Sequence, residues 1–200
     1  MKFRYGNGDN SHLGGNLVSE PDDTNTMGDP ATFATGIWDF LINEYNVKSV
    51  LDVGCGSGYS LDYFKSEHNC TVLGIEGLYE NIIDMHEKGL QCIYHDLNDG
   101  PIKTVGFDLV NSFEVAEHID EEFVENFLNT MIGNKMICMT AASPNQGGHH
   151  HVNCQPKEYW IDKMKVYGFE YEKDVTEHCK TLHDGHFRKN GLIFKNTKIT

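Results

Sequence analysis

Residues 47–58, VKSVLDVGCGSG, constrain the fold of this chain more than any other stretch. Val50, Leu51 and Val53 make a short apolar run closed by Gly54, the pattern of a parallel strand covered on both faces. Gly54, Gly56 and Gly58 follow; without a Cβ they let the backbone bend sharply and come close to a ligand. The spacing predicts a helix over 59–66 whose amino end points back at the turn. A strand, a glycine turn and a helix in that order are the opening of an α/β sheet with crossover helices.

The glycines are spaced GxGxG, not the GxGxxG of a dinucleotide turn, and Asp52 stands just before them. A carboxylate there would repel a pyrophosphate but suits a ligand that carries a cation. S-adenosylmethionine has a sulfonium, an α-ammonium and no phosphate. The stretch resembles motif I of the class I S-adenosylmethionine-dependent methyltransferases, which reads close to VLDVGCGxG. The segments GDPATFATGIWDFLI, GIEG, HDL, DLVNSFEVAEHI and HHHVNCQPKEYWIDKM extend the likeness over about residues 28–195, to one subgroup of bacterial and viral members. The resemblance implies an α/β, Rossmann-like seven-stranded sheet of order 3-2-1-4-5-7-6, strand 7 antiparallel, with helices on both faces. It also implies S-adenosyl-L-methionine as cofactor.

The rest of the chain reads consistently with such a sheet. Residues 1–30 are rich in Gly, Asn, Asp and Ser and are expected to be an N-terminal lid or flexible segment; residues 31–200 form the domain. The pattern predicts helices over 32–44, 79–88, 121–131 and 155–166, the last with Tyr159, Trp160, Ile161, Met164 and Val166 inward. Strands are predicted over 70–76, 91–94, 107–113, 135–140, 169–173 and 191–195. Between the last two lies a polar stretch, 174–190, with His178, His183 and His186 and no evident period. The 13-residue loop AASPNQGGHHHVN, 141–153, has neither period, and a loop that long in a compact domain is usually functional.

Two hundred residues suffice for one domain with its own core. The net charge of −14 and the lack of any basic run disfavour nucleic acid as a partner. Six cysteines stand singly with no CxxC pair, so free thiols and a cytoplasmic setting are expected, the host cytoplasm if the chain is viral. No membrane span is predicted, and the oligomeric state is left open.

Glu76 ends the second strand 18 residues beyond Gly58, where a βαβ unit brings an acid beside the first turn to accept the ribose hydroxyls. By resemblance, Asp96 and Leu97 meet the adenine. The cofactor set is thus Asp52, Gly54, Cys55, Gly56, Gly58, Glu76, Gly77, Asp96 and Leu97, with Ser112 and Glu114 beyond the fourth strand. Methyl transfer to a hydroxyl or amine gains from a base, and the loops after the fourth and fifth strands offer His118, His150 and His151. A competing set, Glu114, Glu117, His118 and His149, resembles the metal site of small-RNA terminal ribose methyltransferases, provided 114–119 forms one helical turn. The expected activity is methyl transfer to O or N of a small-molecule or sugar-containing (glycan) acceptor. The alternatives are a metal-dependent RNA ribose 2'-O-methyltransferase and a cofactor-binding module without turnover.

Overall fold

The computed structural model describes residues 2–6, 10–13, 15–18 and 29–199, so part of the expected N-terminal lid lies outside the described residues. Strands β1 (Lys2–Tyr5) and β2 (Gly15–Val18) pair antiparallel, which the composition of residues 1–30 did not suggest. Then follow α1 (Thr35–Tyr45), β3 (Ser49–Val53), α2 (Tyr59–Ser66), β4 (Thr71–Glu76), α3 (Tyr79–Glu87), β5 (Cys92–Tyr94) and β6 (Leu109–Ser112). After these come α4 (Val124–Met131), β7 (Met136–Thr140), α5 (Lys157–Val166), β8 (Phe169–Tyr171), α6 (Lys173–Cys179), α7 (His186–Asn190) and β9 (Gly191–Asn196).

The main sheet has the order β5-β4-β3-β6-β7-β9-β8, which is the expected 3-2-1-4-5-7-6. β9 runs antiparallel to both its neighbours, and the other pairs are parallel. Successive Cβ atoms of a strand point to opposite faces, and β3 divides its apolar residues accordingly. Val50 packs with Ile37, Trp38 and Leu41 of α1, Leu61 and Phe64 of α2 and Met85 of α3. Leu51 and Val53 pack with Val124, Phe127, Leu128 and Met131 of α4 and with Trp160 and Met164 of α5. The run reads as continuously apolar because both faces are covered.

The chain moves from β3 through β4 to β5 on one side, then returns across β3 to β6 and β7 on the other. Connections therefore leave the carboxyl ends of β3 and its neighbours in opposite directions and open a crevice there. Every motif singled out in the sequence falls at that end of the sheet.

Several expected elements are shortened or redrawn. Helix α1 begins at Thr35, and α4 begins at Val124 after a 3-10 turn at Glu121–Phe123. Segment 114–119 is not one helical turn: only Ala116–His118 forms a 3-10 turn, and Glu114 stands outside it at φ +56°. Val166 is 81% exposed instead of inward. Trp160 and Met164 are four residues apart and share a face, whereas Val166 lies roughly 200° around from Met164 at 3.6 residues per turn. The polar stretch 174–190 holds the short helices α6 and α7, anchored by buried Cys179 and Phe187. All six cysteines are free. Among the described residues no helix is long and apolar enough to cross a membrane.

Gly74 shows how closely α2 and α3 sit on the sheet. A Cβ there would lie 2.6 Å from Cys55 Sγ, 2.9 Å from Leu61 Cδ1 and 2.9 Å from Met85 Cε. Gly74→Val is expected to destabilise the fold by about 1–3 kcal/mol through overpacking, read as a lowered urea midpoint with an unchanged slope.

Candidate active site

The crevice is a cavity of about 470 Å³. Its floor is the turn after β3. Gly54 and Cys55 both donate from their backbone N–H to the Ile75 carbonyl, at 2.8 and 3.2 Å, which ties the turn to β4. Gly54 adopts φ +73°, and a Cβ there would meet Val115 Cγ2 at 2.4 Å, so only glycine lets the turn approach the segment after β6. Glu76 completes the floor: its Oε2 accepts from Gly56 N–H at 2.8 Å and its Oε1 from Leu78 N–H at 2.8 Å. The Asn81 side chain and the Gly77 N–H also bear on this carboxylate. Burial pushes the Glu76 carboxyl up, against the pull of the Leu78 and Gly56 N–H groups.

Asp52 is held by a chain of buried donors. Trp38 Nε1 donates to Asn111 Oδ1 at 3.1 Å, Asn111 Nδ2 donates to Asp52 Oδ1 at 3.0 Å, and the Ser60 hydroxyl donates to Asp52 Oδ2. Burial pushes the Asp52 carboxyl up to about 6; the bonds from Ser60 and Asn111 pull it down, and the nearby Glu76 adds to the rise. A cation placed against this carboxylate would relieve its desolvation, which is the electrostatic condition a sulfonium amino acid meets.

At the far end of the floor Asp96 ends the β5 segment. Its Oδ1 accepts from Asn98 N–H at 2.9 Å, while Oδ2 lies 2.6 Å from His12 Nε2. Leu13, beside His12, covers Gly77, where a Cβ would come within 2.6 Å of Leu13 Cδ2. The residues expected around the cofactor are therefore gathered with two exceptions. Asp52, Gly54, Cys55, Gly56, Glu76, Gly77, Asp96, Leu97 and Glu114 line the cavity; Gly58 and Ser112 do not. Gly58, at φ +76°, caps the start of α2. Ser112 is fully buried and donates its hydroxyl to the Val53 carbonyl at 2.9 Å, pinning β6 to β3.

The cavity roof comes from the segments after β6 and β7. Val152 and Asn153 both donate to the Glu117 carbonyl at 3.0 Å, and this clamps the histidine loop onto the 116–118 turn. The rings of His118 and His151 stand edge-to-face with centroids 5.0 Å apart, and both line the cavity. Burial, with His151 as second cause, lowers His118 to about 4, so it is a neutral and weak base. His150 does not line the cavity: at φ +47° its Nε2 is buried 4.0 Å from Asp120 Oδ2.

The expected metal set does not fit an ion. Glu114 Oε1 accepts from the Thr140 hydroxyl at 2.8 Å, its Oε2 lies 3.4 Å from His186 Nδ1, and His149 Nε2 faces the Ser11 carbonyl at 3.3 Å. Among the described residues no group of three or more His, Cys, Asp and Glu side chains could hold a metal. The positive φ of Glu114 is the reason: it breaks the helical turn that would have stacked Glu114, Glu117 and His118.

Sequence reasoning missed the supporting residues. Asn111, Ser60, Trp38, His12 and His186 all line the cavity. Asn111 interrupts the apolar strand and Trp38 sits on an apolar helix face, both readable as core, while His186 lies in a stretch with no period.

Glu117 is fully buried, and neither carboxylate oxygen has a hydrogen-bond partner. Burial first, and Glu114 second, push its carboxyl up to about 8 from 4.5. The folded protein thus keeps a proton that the unfolded chain releases near 4.5, so stability falls as pH rises from about 5 to 8. Glu117→Gln, which cannot ionise, is expected to flatten that decline in urea midpoints measured between pH 5 and pH 8; an equally steep decline in the variant would mean that Glu117 is charged in the fold.

Residues 50–133 match the family model described as a methyltransferase domain. No curated protein matches the chain. Among solved structures, the sugar N-methyltransferase KedS8 from Streptoalloteichus is 17% identical with a TM-score of 0.64, over 84% of this chain and 88% of its own. Magnesium protoporphyrin IX methyltransferase from Synechocystis, with bound S-adenosylhomocysteine (SAH), is 13% identical with a TM-score of 0.60, over 82% and 81%. The methyltransferase domain of bacterial CtHen1 is 16% identical with a TM-score of 0.55, over 80% and 94%. Residues 50–133 are thus similar to a methyltransferase domain, and the chain shares its fold with these methyltransferase structures.

Proposed function

We propose that this methyltransferase moves the methyl group of S-adenosylmethionine to an oxygen or nitrogen of a small-molecule or sugar-containing acceptor. The observation that carries the reading is that one cavity is lined both by Asp52, Glu76 and Asp96 and by His118, His151 and Glu114. Cofactor and acceptor can therefore share a single crevice. Glu76 takes the ribose hydroxyls, Asp96 and Leu97 the adenine, and Asp52 with the 54–56 turn the amino-acid end. The reacting methyl then points toward the segment after β6.

The chemistry asks little of the protein beyond alignment. The methyl carbon is already activated by a positive sulfur, and displacement is in line, so holding the acceptor close and excluding water supplies most of the rate. Where the acceptor is a hydroxyl that loses a proton, His151 stands in the cavity to receive it, against buried neutral His118. The sugar N-methyltransferase among the similar structures supports a sugar-containing acceptor. The net charge of −14 weighs against an RNA acceptor.

The decisive experiment pairs calorimetry with SAH and transfer of label from S-adenosylmethionine to a metabolite panel. SAH binding with a labelled small-molecule product is the expected result. Binding with no product in any fraction would favour a cofactor-binding module, and activity abolished by chelation would favour the metal-dependent RNA enzyme. Glu76→Ala is expected to weaken SAH binding by about 1–3 kcal/mol, the usual loss when buried hydroxyls lose a charged partner. His151→Ala is expected to leave SAH affinity unchanged and to lower turnover; a variant that loses both together would make His151 structural.

A further inference from the structure

The cavity carries an excess of negative charge that the cofactor does not balance. Asp29, Asp52, Glu76, Asp96 and Glu114 line it, and among the described residues no Lys or Arg does. The nearest basic side chains are committed elsewhere: Arg4 pairs with Asp84 at 2.8 Å, and Lys88 donates to the Ser57 carbonyl and stacks 3.8 Å over the Tyr59 ring. S-adenosylmethionine brings a sulfonium, an ammonium and a carboxylate, a net charge of +1. With Asp52, Glu76 and Asp96 given to it, Glu114 and Asp29 face the remaining space.

That space also has aromatic residues beside it. Phe33, Trp38 and Phe113 reach the cavity lining, Phe33 half-buried and the other two buried. The Phe33 and Trp38 rings meet perpendicularly at 5.4 Å, and Trp38 lies 6.1 Å from Phe113. Carboxylates beside aromatic faces make a site for a cation, because both attract positive charge and neither needs a counter-donor. A phosphate or carboxylate on the acceptor would find no Lys or Arg among the described lining residues.

Glu114 is the fixed point of this half. Its backbone N–H donates to Thr140 Oγ1 at 2.7 Å while that hydroxyl donates back to its Oε1, and its φ of +56° is held by this double tie. A non-glycine residue there costs about 1–3 kcal/mol, a strain that persists only where surrounding contacts enforce it. The other oxygen, Oε2, faces His186 Nδ1 at 3.4 Å, and the buried Glu117 carboxyl lies close to the same side chain. Nδ1 is therefore the ring nitrogen beside the carboxylate, close enough for one ammonium to reach both. The His186 side chain is 37% exposed, so a proton taken there can pass to solvent.

From this juxtaposition we propose that the acceptor group is an amine that enters as an ammonium, and that Glu114 binds it while His186 takes its proton. This deepens the methyltransferase reading and rests on it. The ammonium, placed between Glu114 Oε2 and His186 Nδ1, which lie 3.4 Å apart, gives one proton to Nδ1, and the freed lone pair forms the new N–C bond as the S–C bond breaks. The S–C electron pair goes to sulfur, leaving SAH and a methylated secondary ammonium, and His186 passes its proton to water. His186 would be a catalytic residue, and Glu114 both a binding group and the residue that orients the ring.

The test uses matched probes on the whole protein saturated with SAH: benzylamine against benzyl alcohol, cyclohexylamine against cyclohexanol, and glucosamine against glucose, by calorimetry. The amine of each pair is expected to bind at least tenfold more tightly, and Glu114→Gln to bring the ratio close to one. Amines that bind no better than their alcohols, or not at all, in protein that still binds SAH would overturn the proposal; protein that does not bind SAH would overturn the reading beneath it. With S-adenosylmethionine in place of SAH, the methyl group is expected on the amine and not the alcohol. His186→Asn is expected to slow transfer about 100-fold with amine and SAH affinities within threefold of wild type. Transfer within threefold of wild type in that variant would remove His186 as the base, whatever the folding of the Glu114 variant.

Discussion

The side chain of Glu76 is the contact on which the site depends. It reaches from the end of β4 to the N–H of Gly56 in the turn after β3 and to the N–H of Leu78 at the start of α3, 2.8 Å in each case. Two backbone donors that burial would otherwise strand are satisfied by one carboxylate. The same bonds fix the distance between the turn and the neighbouring strand, and so the width of the crevice. Without them the glycines would be free to take many conformations, since positive φ at Gly54, Gly56 and Gly58 costs glycine little but also fixes nothing.

The price of such a floor is buried charge. Asp52 and Glu76 are 2% and 6% exposed, and both carboxyls are pushed up by desolvation. Neutral donors, not cations, hold Asp52: Asn111, itself held by Trp38, and Ser60. A lysine or arginine in their place would settle the carboxylate permanently and leave nothing for a positively charged ligand to gain. Hydrogen bonds from neutral groups orient the carboxylate and leave its charge uncompensated. The sheet supplies these partners because Asp52 and Asn111 are register neighbours across β3 and β6.

This division explains what the sequence could and could not disclose. The strand, the glycine turn and helix Tyr59–Ser66 were legible because period, glycine spacing and length agree locally. So was the strand pattern of the whole sheet, since covered parallel strands must be apolar. The Glu114 backbone was not legible: EVAEH has helical spacing, and the contact that defeats it, Thr140, is 26 residues away on the next strand. His186 was hidden for the same reason. Helix α7 is five residues long with no periodic signal, and only tertiary packing of Phe187 against Phe113, rings stacked at 5.5 Å, brings its first residue to the cavity. Local chemistry announces the cofactor half of the site, while the acceptor half is assembled from long-range contacts.

The two halves also differ in how their charges can be discharged. Asp52, Glu76 and Asp96 line the part of the cavity built by the glycine turn and the ends of β4 and β5, where the proposed cofactor would offset their desolvation. Glu114 has Thr140, the buried Glu117 carboxyl and partly exposed His186 near it, and a histidine is a partner that can be charged or neutral. When His186 holds a proton, Glu114 is balanced and the cavity loses its pull on a cation. When His186 is neutral, the pull is restored. A site that attracts an ammonium, strips its proton and thereby weakens its own attraction favours release of the transferred group over retention, and it does so without moving any element of the sheet.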